Sequence, residues 1–385
     1  MKHRAVGAVL FGGGVLLLAL AAGLVFVVKP AMTKLPYDLD PATSVAEAKG
    51  ATFLQITDGA VAINQADLAS TVQVTPERDK TAALSGDLAG DSVVWRVGQT
   101  VERTDTKALV SAYGAELALD RVSGAAVEWN EQFLDESGNP EKISFAGQVY
   151  KFPFGSAQGN YEVFDRDLRQ TRMAEFKGTE DVDGLEVYRY EQMITDEKLP
   201  LAADRVALLL GALAPGANAG DVVYSNTRTV WVDPVTGSYV NVREQQKKVL
   251  VPNVGTPVTL LDADFSYNEE TVSSSVERAK ESRGQLNILG VFAPLGLAVL
   301  GLVLLIVALL VSRGRTPAAV AARPGADAAP ASDPAPTRVD QPVVRDDERA
   351  AGLLTDEIPP ASTNWKSDEP TVPSQRPAQD ESEKK

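Results

Sequence analysis

AVGAVLFGGGVLLLALAAGLVFVV, residues 5–28, contains no charged residue and decides the architecture. A second stretch, GQLNILGVFAPLGLAVLGLVLLIVALLVS at residues 284–312, is equally free of charge. An α-helix rises about 1.5 Å per residue, so either stretch can cross a hydrocarbon core of about 30 Å. The reading divides the chain into a cytoplasmic N-terminus (1–4), a transmembrane helix (5–28), an extracytoplasmic domain (29–285), a second transmembrane helix (286–312) and a tail (313–385).

Charge at the outer flanks sets the expected orientation. Lys2 and Arg4 precede the first span, and Arg313, Arg315 and Arg323 follow the second, so both termini are expected in the cytoplasm. Lys29, Lys34, Lys280 and Arg283 on the inner flanks weaken that contrast. Ala19-Leu20-Ala21 also fits a signal-peptide cleavage site, but the apolar run is longer than the 7–15 residues or so of such a core. An uncleaved anchor is therefore expected. Ala8/Gly12 and Ala19/Gly23 are small residues four apart, a spacing that lets helices approach closely, and Pro294 is expected to bend the second span.

The net charge of −15 falls almost wholly on residues 29–285, with 25 Lys/Arg against 39 Asp/Glu. Such a domain repels phosphate polyanions, so nucleic acid is not an expected partner. The chain has no cysteine, and its one histidine is His3. Residues 29–285 thus lack a Cys or His nucleophile–base pair and a His/Cys set for zinc. No enzyme activity, metal or cofactor is expected.

Between the spans the pattern is that of strands. Phe53–Ile56, Thr71–Val74 and Val93–Val97 are short, rich in β-branched residues and bounded by turn formers. Asp183-Gly184 predicts a hairpin turn between strands at 176–179 and 185–194. In the second of these, Leu185, Val187, Arg189 and Glu191 share one face and Glu186, Tyr188, Tyr190 and Gln192 the other, and neither is cleanly apolar. LDRVSGAAV (119–127) echoes VDPVTGSYV (232–240), and both read as strand–turn–strand units with a glycine at positive φ. Helices are expected at 200–213 and from Glu269 toward the second span. Residues 29–49 read as a proline-punctuated entry, and the Pro- and Ala-rich tail as disordered, with Trp365 its one aromatic residue. The expected fold is mainly β (α+β), an antiparallel β-sheet or partial-barrel ectodomain between two transmembrane helices.

Carboxylates are the groups left for acid–base work: Asp165/Asp167, Asp181/Asp183 and Asp262/Asp264. None completes a calcium loop, and the run Asp165-Arg166-Asp167-Leu168-Arg169 reads as solvated charge. The aromatic run Tyr150-Lys151-Phe152-Pro153-Phe154, with Tyr161 and Phe164, reads as a core corner or as the lining of a groove. Trp95, Phe152, Phe154 and Trp231 are the residues expected to shape a ligand site.

Several of these stretches resemble an actinobacterial membrane-protein family labelled "porin PorA family". They are Val93–Thr100 with Thr104-Asp105, Tyr150–Phe154, Tyr161, Phe164-Asp165, Gly184–Tyr188, Arg228–Gly237 and Val242–Glu244. The resemblance spans residues 5–312, excludes the tail, and implies a channel. Two apolar helices alone enclose no water-filled lumen, whereas a β-barrel porin needs lipid-facing strands. The residues therefore point first to a non-catalytic, membrane-anchored cell-envelope protein. Its outer domain is expected to bind a lipid, glycan or protein, with the 200–213 helix covering a cavity. A channel and a carboxylate-dependent glycan hydrolase are the alternatives, and membrane lipids are the expected surroundings.

Overall fold

The computed structural model describes residues 2–57, 60–136, 138 and 140–313. The expectations for the tail, Trp365 included, lie outside the described residues beyond Arg313. Thirteen strands form one antiparallel sheet. They are β1 (Ala42–Thr57), β2 (Ala60–Pro76), β3 (Ser92–Arg103), β4 (Leu109–Asp120), β5 (Ala126–Val127), β6 (Phe133–Asp135) and β7 (Pro140–Glu141), then β8 (Tyr161–Asp165), β9 (Gln170–Val182), β10 (Leu185–Lys198), β11 (Gly220–Val232), β12 (Tyr239–Pro252) and β13 (Val258–Tyr267). The order is β7-β6-β4-β3-β2-β1-β13-β12-β11-β10-β9-β8, with β5 beside β4. The sheet is open, but residues 147–148 run between its two ends. Gly147 O accepts from Ala126 N, and Gln148 N donates to Glu162 O, both at 2.8 Å. One sheet face is thereby turned inward.

The helices are α1 (Lys2–Gly23), α2 (Lys29–Met32), α3 (Arg78–Ala82), α4 (Ala203–Leu213), α5 (Glu269–Asn287) and α6 (Ala293–Arg313). Helix α1 continues through a π-turn, Leu24–Val28, into α2, and α5 continues through a second, Ile288–Phe292, into α6. Each π-turn ends two residues before a proline, Pro30 or Pro294, which cannot donate to the ladder. Ala5–Met32 and Glu269–Arg313 are long and apolar enough to cross a membrane. The two spans lie against each other, and a Cβ on Gly12 or Gly23 would meet nothing within 4 Å, so neither glycine is a point of tight backbone approach. Gly7, Gly14 and Ala21 are buried against Pro294, Gly301 and Ala308. A Cβ on Gly14 would lie 2.8 Å from Gly301 O. These buried positions recur every seven residues on both helices, the spacing of a coiled-coil seam, and Gly7 faces Ala308 while Gly14 faces Gly301, in antiparallel order.

Strand β10 shows why its two faces read ambiguously. Tyr190, Gln192 and Ile194 turn inward, while Leu185 and Val187 turn outward. The outward pair is covered by Val276 and Ala279 of α5, so each face is buried over half its length. The Asp183-Gly184 turn forms as expected, with both residues at positive φ and Leu185 paired to Val182. Residues 29–49 depart from expectation, since β1 already begins at Ala42 and pairs along β2.

The two echoed segments are the same turn. Asp120 Oδ1 accepts from Ser123 N and Oγ, both 2.6 Å, and Asp233 Oδ2 accepts from Thr236 N and Oγ1, at 3.3 and 2.5 Å. Gly124 and Gly237 close them at φ +67° and +73°. At Gly237 a Cβ would sit 2.0 Å from Phe152 O, so glycine is required there. Helix α5 grips this end of the sheet. Arg283 donates to Asp233 (2.7 Å) and to Glu186 O (2.6 Å), and Lys280 donates to Asp183 O (2.6 Å).

Candidate functional site

The inward face encloses a cavity of about 230 Å³ reached by residues of β1 to β4, β6, β8 and β11 to β13. One wall is apolar, with Leu68, Val72, Val101, Phe145, Leu261 and Phe265 among its residues. The lining also carries Arg166, Asp167, Arg228, Glu244 and Lys248, with Tyr150 and Tyr239, and Lys248 and Glu244 stand directly beside Leu261 and Phe265.

Strand parity builds the polar wall. Glu244, Gln246 and Lys248 follow Val242 at every second position of β12, so all face inward, whereas Val240, at a register shift opposite Trp231 and Val232, packs under α5. Arg228 of β11 lies directly across from Glu244 and donates to it at 2.5 Å. Its other nitrogens reach Phe164 O and Gln192 Oε1, both 3.1 Å, and Asp165 at 3.5 Å. After β8 the chain turns tightly, with Asp165 Oδ1 accepting from Leu168 N (2.9 Å) and Arg169 at φ +56°. This turn aims Arg166 at the Tyr113 ring, 4.3 Å from its centroid, and Asp167 at Lys248, 2.6 Å away. The expected solvated run is therefore a correction: Asp165 is 1% exposed and Asp167 13%. Its carboxylates stay buried because Arg228 and Lys248 pair with them.

Burial raises Asp165 above the usual carboxylate value despite Arg228. Burial acts the same way on Asp167, but Lys248 and Arg166 outweigh it and hold that carboxyl at about 2. Burial pushes the hydroxyls of Tyr150 and Tyr239 above the ordinary tyrosine range. Asn226, 2% exposed and two residues from Arg228 but not itself a lining residue, has neither amide atom hydrogen-bonded. Among the described residues no group of three or more His, Cys, Asp or Glu could hold a metal.

Trp95, Phe152, Phe154 and Trp231 are absent from the cavity lining. Trp95 is packed in the inner core with Val97 and Leu117. Phe152 is fully buried, with ring centroids of Tyr190 at 4.8 Å, Tyr161 at 5.0 Å and Tyr239 at 5.9 Å. Phe154 lies under the Lys151 ammonium, 4.2 Å away. Trp231 is on the outer face beside α5, its indole donating to Glu180 at 2.7 Å. The structure brings together only Phe152 and the neighbouring tyrosines. Helix α4 also misses the expected place: it packs on Val222, Leu250 and Leu260 at one end of the sheet and supplies no lining residue. The other carboxylate pairs do not converge on the cavity. Asp181 caps its hairpin by accepting from Gly184 N (2.8 Å), and Asp264 and Asp262 pair outside with Arg243 (2.5 Å) and Lys247 (3.6 Å).

The sequence model of the family described as Porin PorA matches residues 6–310. A Porin PorA of Corynebacterium amycolatum is 26% identical over 263 residues, covering 55% of this chain and 68% of that protein. A Porin PorA of Corynebacterium resistens is 26% identical over 298 residues, covering 58% and 72%. These matches overturn the expectation of an envelope protein that serves to bind a lipid, glycan or protein. Both relatives bear the name of a channel.

Proposed function

From the premise that this chain belongs to the Porin PorA family, we propose that it is a channel-forming membrane protein of the cell envelope. The match over residues 6–310 carries this reading, because it takes in both spans and the whole sheet. Corynebacterium relatives support an actinobacterial envelope as its setting.

The geometry favours one form of channel. A membrane barrel turns apolar residues outward and polar residues inward. This sheet does the reverse over much of its outer face, where Arg189–Glu180, Lys177–Glu175 and Arg243–Asp264 form ion pairs at 2.6, 2.8 and 2.5 Å. Charge on a lipid-facing strand costs about 2–4 kcal/mol per Arg or Lys at the bilayer midplane. The spans α1 and α6 therefore cross the lipid, and the sheet stands outside it. Two helices enclose no lumen, so conduction requires several copies. In this two-pass arrangement both ends lie in the cytoplasm and the sheet is extracytoplasmic, as the outer Lys and Arg residues favour. No catalytic step is assigned, in keeping with the lack of Cys and His in residues 29–285.

Purified full-length protein in liposomes tests the reading through release of an entrapped small solute. Release that rises steeply with protein-to-lipid ratio supports an assembled channel. Retention equal to that of protein-free liposomes at every ratio rejects it.

A further inference from the structure

The three cations of the cavity are not equally committed. Arg228 donates to Glu244, Phe164 O and Gln192, and Lys248 donates to Asp167. Arg166 lines the same cavity and donates no hydrogen bond among the described residues. Its nearest carboxylate oxygens stand off at 3.5 Å on Glu136 and 3.6 Å on Asp167. Both carboxylates are engaged elsewhere, Glu136 with Arg169 at 3.4 Å and Asp167 with Lys248 at 2.6 Å. The Arg166 guanidinium sits over the Tyr113 ring, 4.3 Å from its centroid, and 30% of the side chain remains uncovered. A planar fork with five N–H donors is thus held in place with donors left for an acceptor.

The rest of the lining selects what carries that acceptor. Tyr113 packs on the core cluster that holds Leu134, Phe145 and Phe164, and all three line the cavity. The Phe145 and Phe164 rings lie 5.1 Å apart, so the free guanidinium has an apolar, aromatic surface close by. Arg166, Arg228 and Lys248 face two lining carboxylates, Asp167 and Glu244, so one further negative charge balances the site and a dianion overfills it. A cavity of about 150 Å³ takes one benzene ring. At about 230 Å³ this one has room for a ring or branched chain with a carboxylate attached, and too little for a membrane lipid. Ser111 belongs to the lining and is exposed, which gives a solute a way in.

We propose that the cavity is a binding site for a small organic monocarboxylate with an apolar body, its carboxylate held by the free donors of Arg166 and its body against Leu134, Phe145 and Phe164. An apolar pocket with a few convergent polar groups is the ordinary form of a small-molecule site, and a guanidinium matches a carboxylate with two parallel hydrogen bonds. The occupant is a soluble solute. The proposal goes beyond the channel reading and stands without it, since it needs only the cavity within the sheet.

The test is equilibrium dialysis of radiolabelled phenylacetate against the full chain in detergent micelles. Binding should be saturable at one site per chain. Unlabelled 2-phenylethanol, which keeps the ring and loses the charge, and inorganic phosphate, which keeps charge and loses the ring, should each compete roughly ten-fold or more less effectively than phenylacetate. Arg166→Lys keeps a positive charge between Glu136 and Asp167 but replaces the planar fork by a single ammonium, so it should weaken binding roughly ten-fold while leaving the urea midpoint unchanged. Arg189→Lys, paired with Glu180 on the outer face, should leave binding unchanged. The proposal is overturned if the unsubstituted chain shows no saturable binding, which would leave the cavity to water. It is equally overturned if 2-phenylethanol or phosphate competes as well as phenylacetate, or if Arg166→Lys binds phenylacetate undiminished. Solute release from liposomes reads the channel separately, so failure of one reading is distinguishable from failure of the other.

Discussion

The membrane hairpin and the sheet domain are held by opposite means. Along the hairpin, Gly7 approaches Ala308 and Gly14 approaches Gly301, and the charged side chain that lies across the seam, Lys29 over Gly290, does so at the end next to the sheet domain. The sheet buries its charges: Asp233 is 0% exposed, and Asp165 and Glu116 are 1% exposed, each paired with Arg or Lys. The difference follows from the solvent. In lipid, burial of apolar surface gives no drive for helices to associate, so close backbone approach must supply it. In water the apolar core drives folding, and a buried ion pair fixes which groups meet, often at little net gain. The hairpin can then present its remaining surface only to lipid or to other copies. For a porin-family chain whose sheet also carries ion pairs on its outer face, the proposed channel reading assigns conduction to assembled spans.

The largest effect that would break this contrast lies at the junction of the two regions. Asp233→Ala leaves Arg283 and the buried Lys151 without their carboxylate, and is expected to cost about 3–5 kcal/mol in urea unfolding followed by tryptophan fluorescence. A loss below about 1 kcal/mol would mean that charge does not hold the sheet to α5. Next is the seam. A Cβ on Gly7 would lie 3.8 Å from Ser312 Cβ, the spacing of a disulfide, so Gly7→Cys/Ser312→Cys should cross-link on oxidation. Adding Gly14→Leu, which overfills the seam at a cost of about 1–3 kcal/mol, should abolish the cross-link and leave sheet unfolding unchanged. The smallest effect is a pH slope. Burial lowers Lys151 from 10.5 to about 7 despite Asp233. The unfolded chain therefore holds a proton that the folded chain releases between these values. Stability should rise with pH above about 7 by up to about 1.4 kcal/mol per unit, levelling near 10.5. Lys151→Met should flatten that slope.

Much of the hairpin and of the sheet's local order was legible in the residues. Uninterrupted apolar runs marked the spans, Asp183-Gly184 marked a turn, and the Asp120 and Asp233 echoes marked turns whose side chains bond as their types dictate. The seam was legible too, but in a seven-residue recurrence of small residues rather than the four-residue one. The cavity was not. Its polar wall joins Arg166 and Asp167 to Arg228, Glu244 and Lys248, which meet only through the curl of the sheet. The charge alternation after Val242 carried a local signal, since Glu244, Gln246 and Lys248 share its inward parity. Asp165–Arg169 carried none, because a buried charge run and a solvated one have the same composition. Strand β10 misled for a related reason: its two faces serve two different cores.

Single-channel recording in planar bilayers tests the central claim most directly. With purified full-length protein on one side and symmetric potassium chloride, the account predicts discrete, repeated conductance steps. They should vanish in the Gly14→Leu variant, whose spans no longer pack. Silent bilayers with confirmed insertion, or steps unaffected by Gly14→Leu, would contradict it.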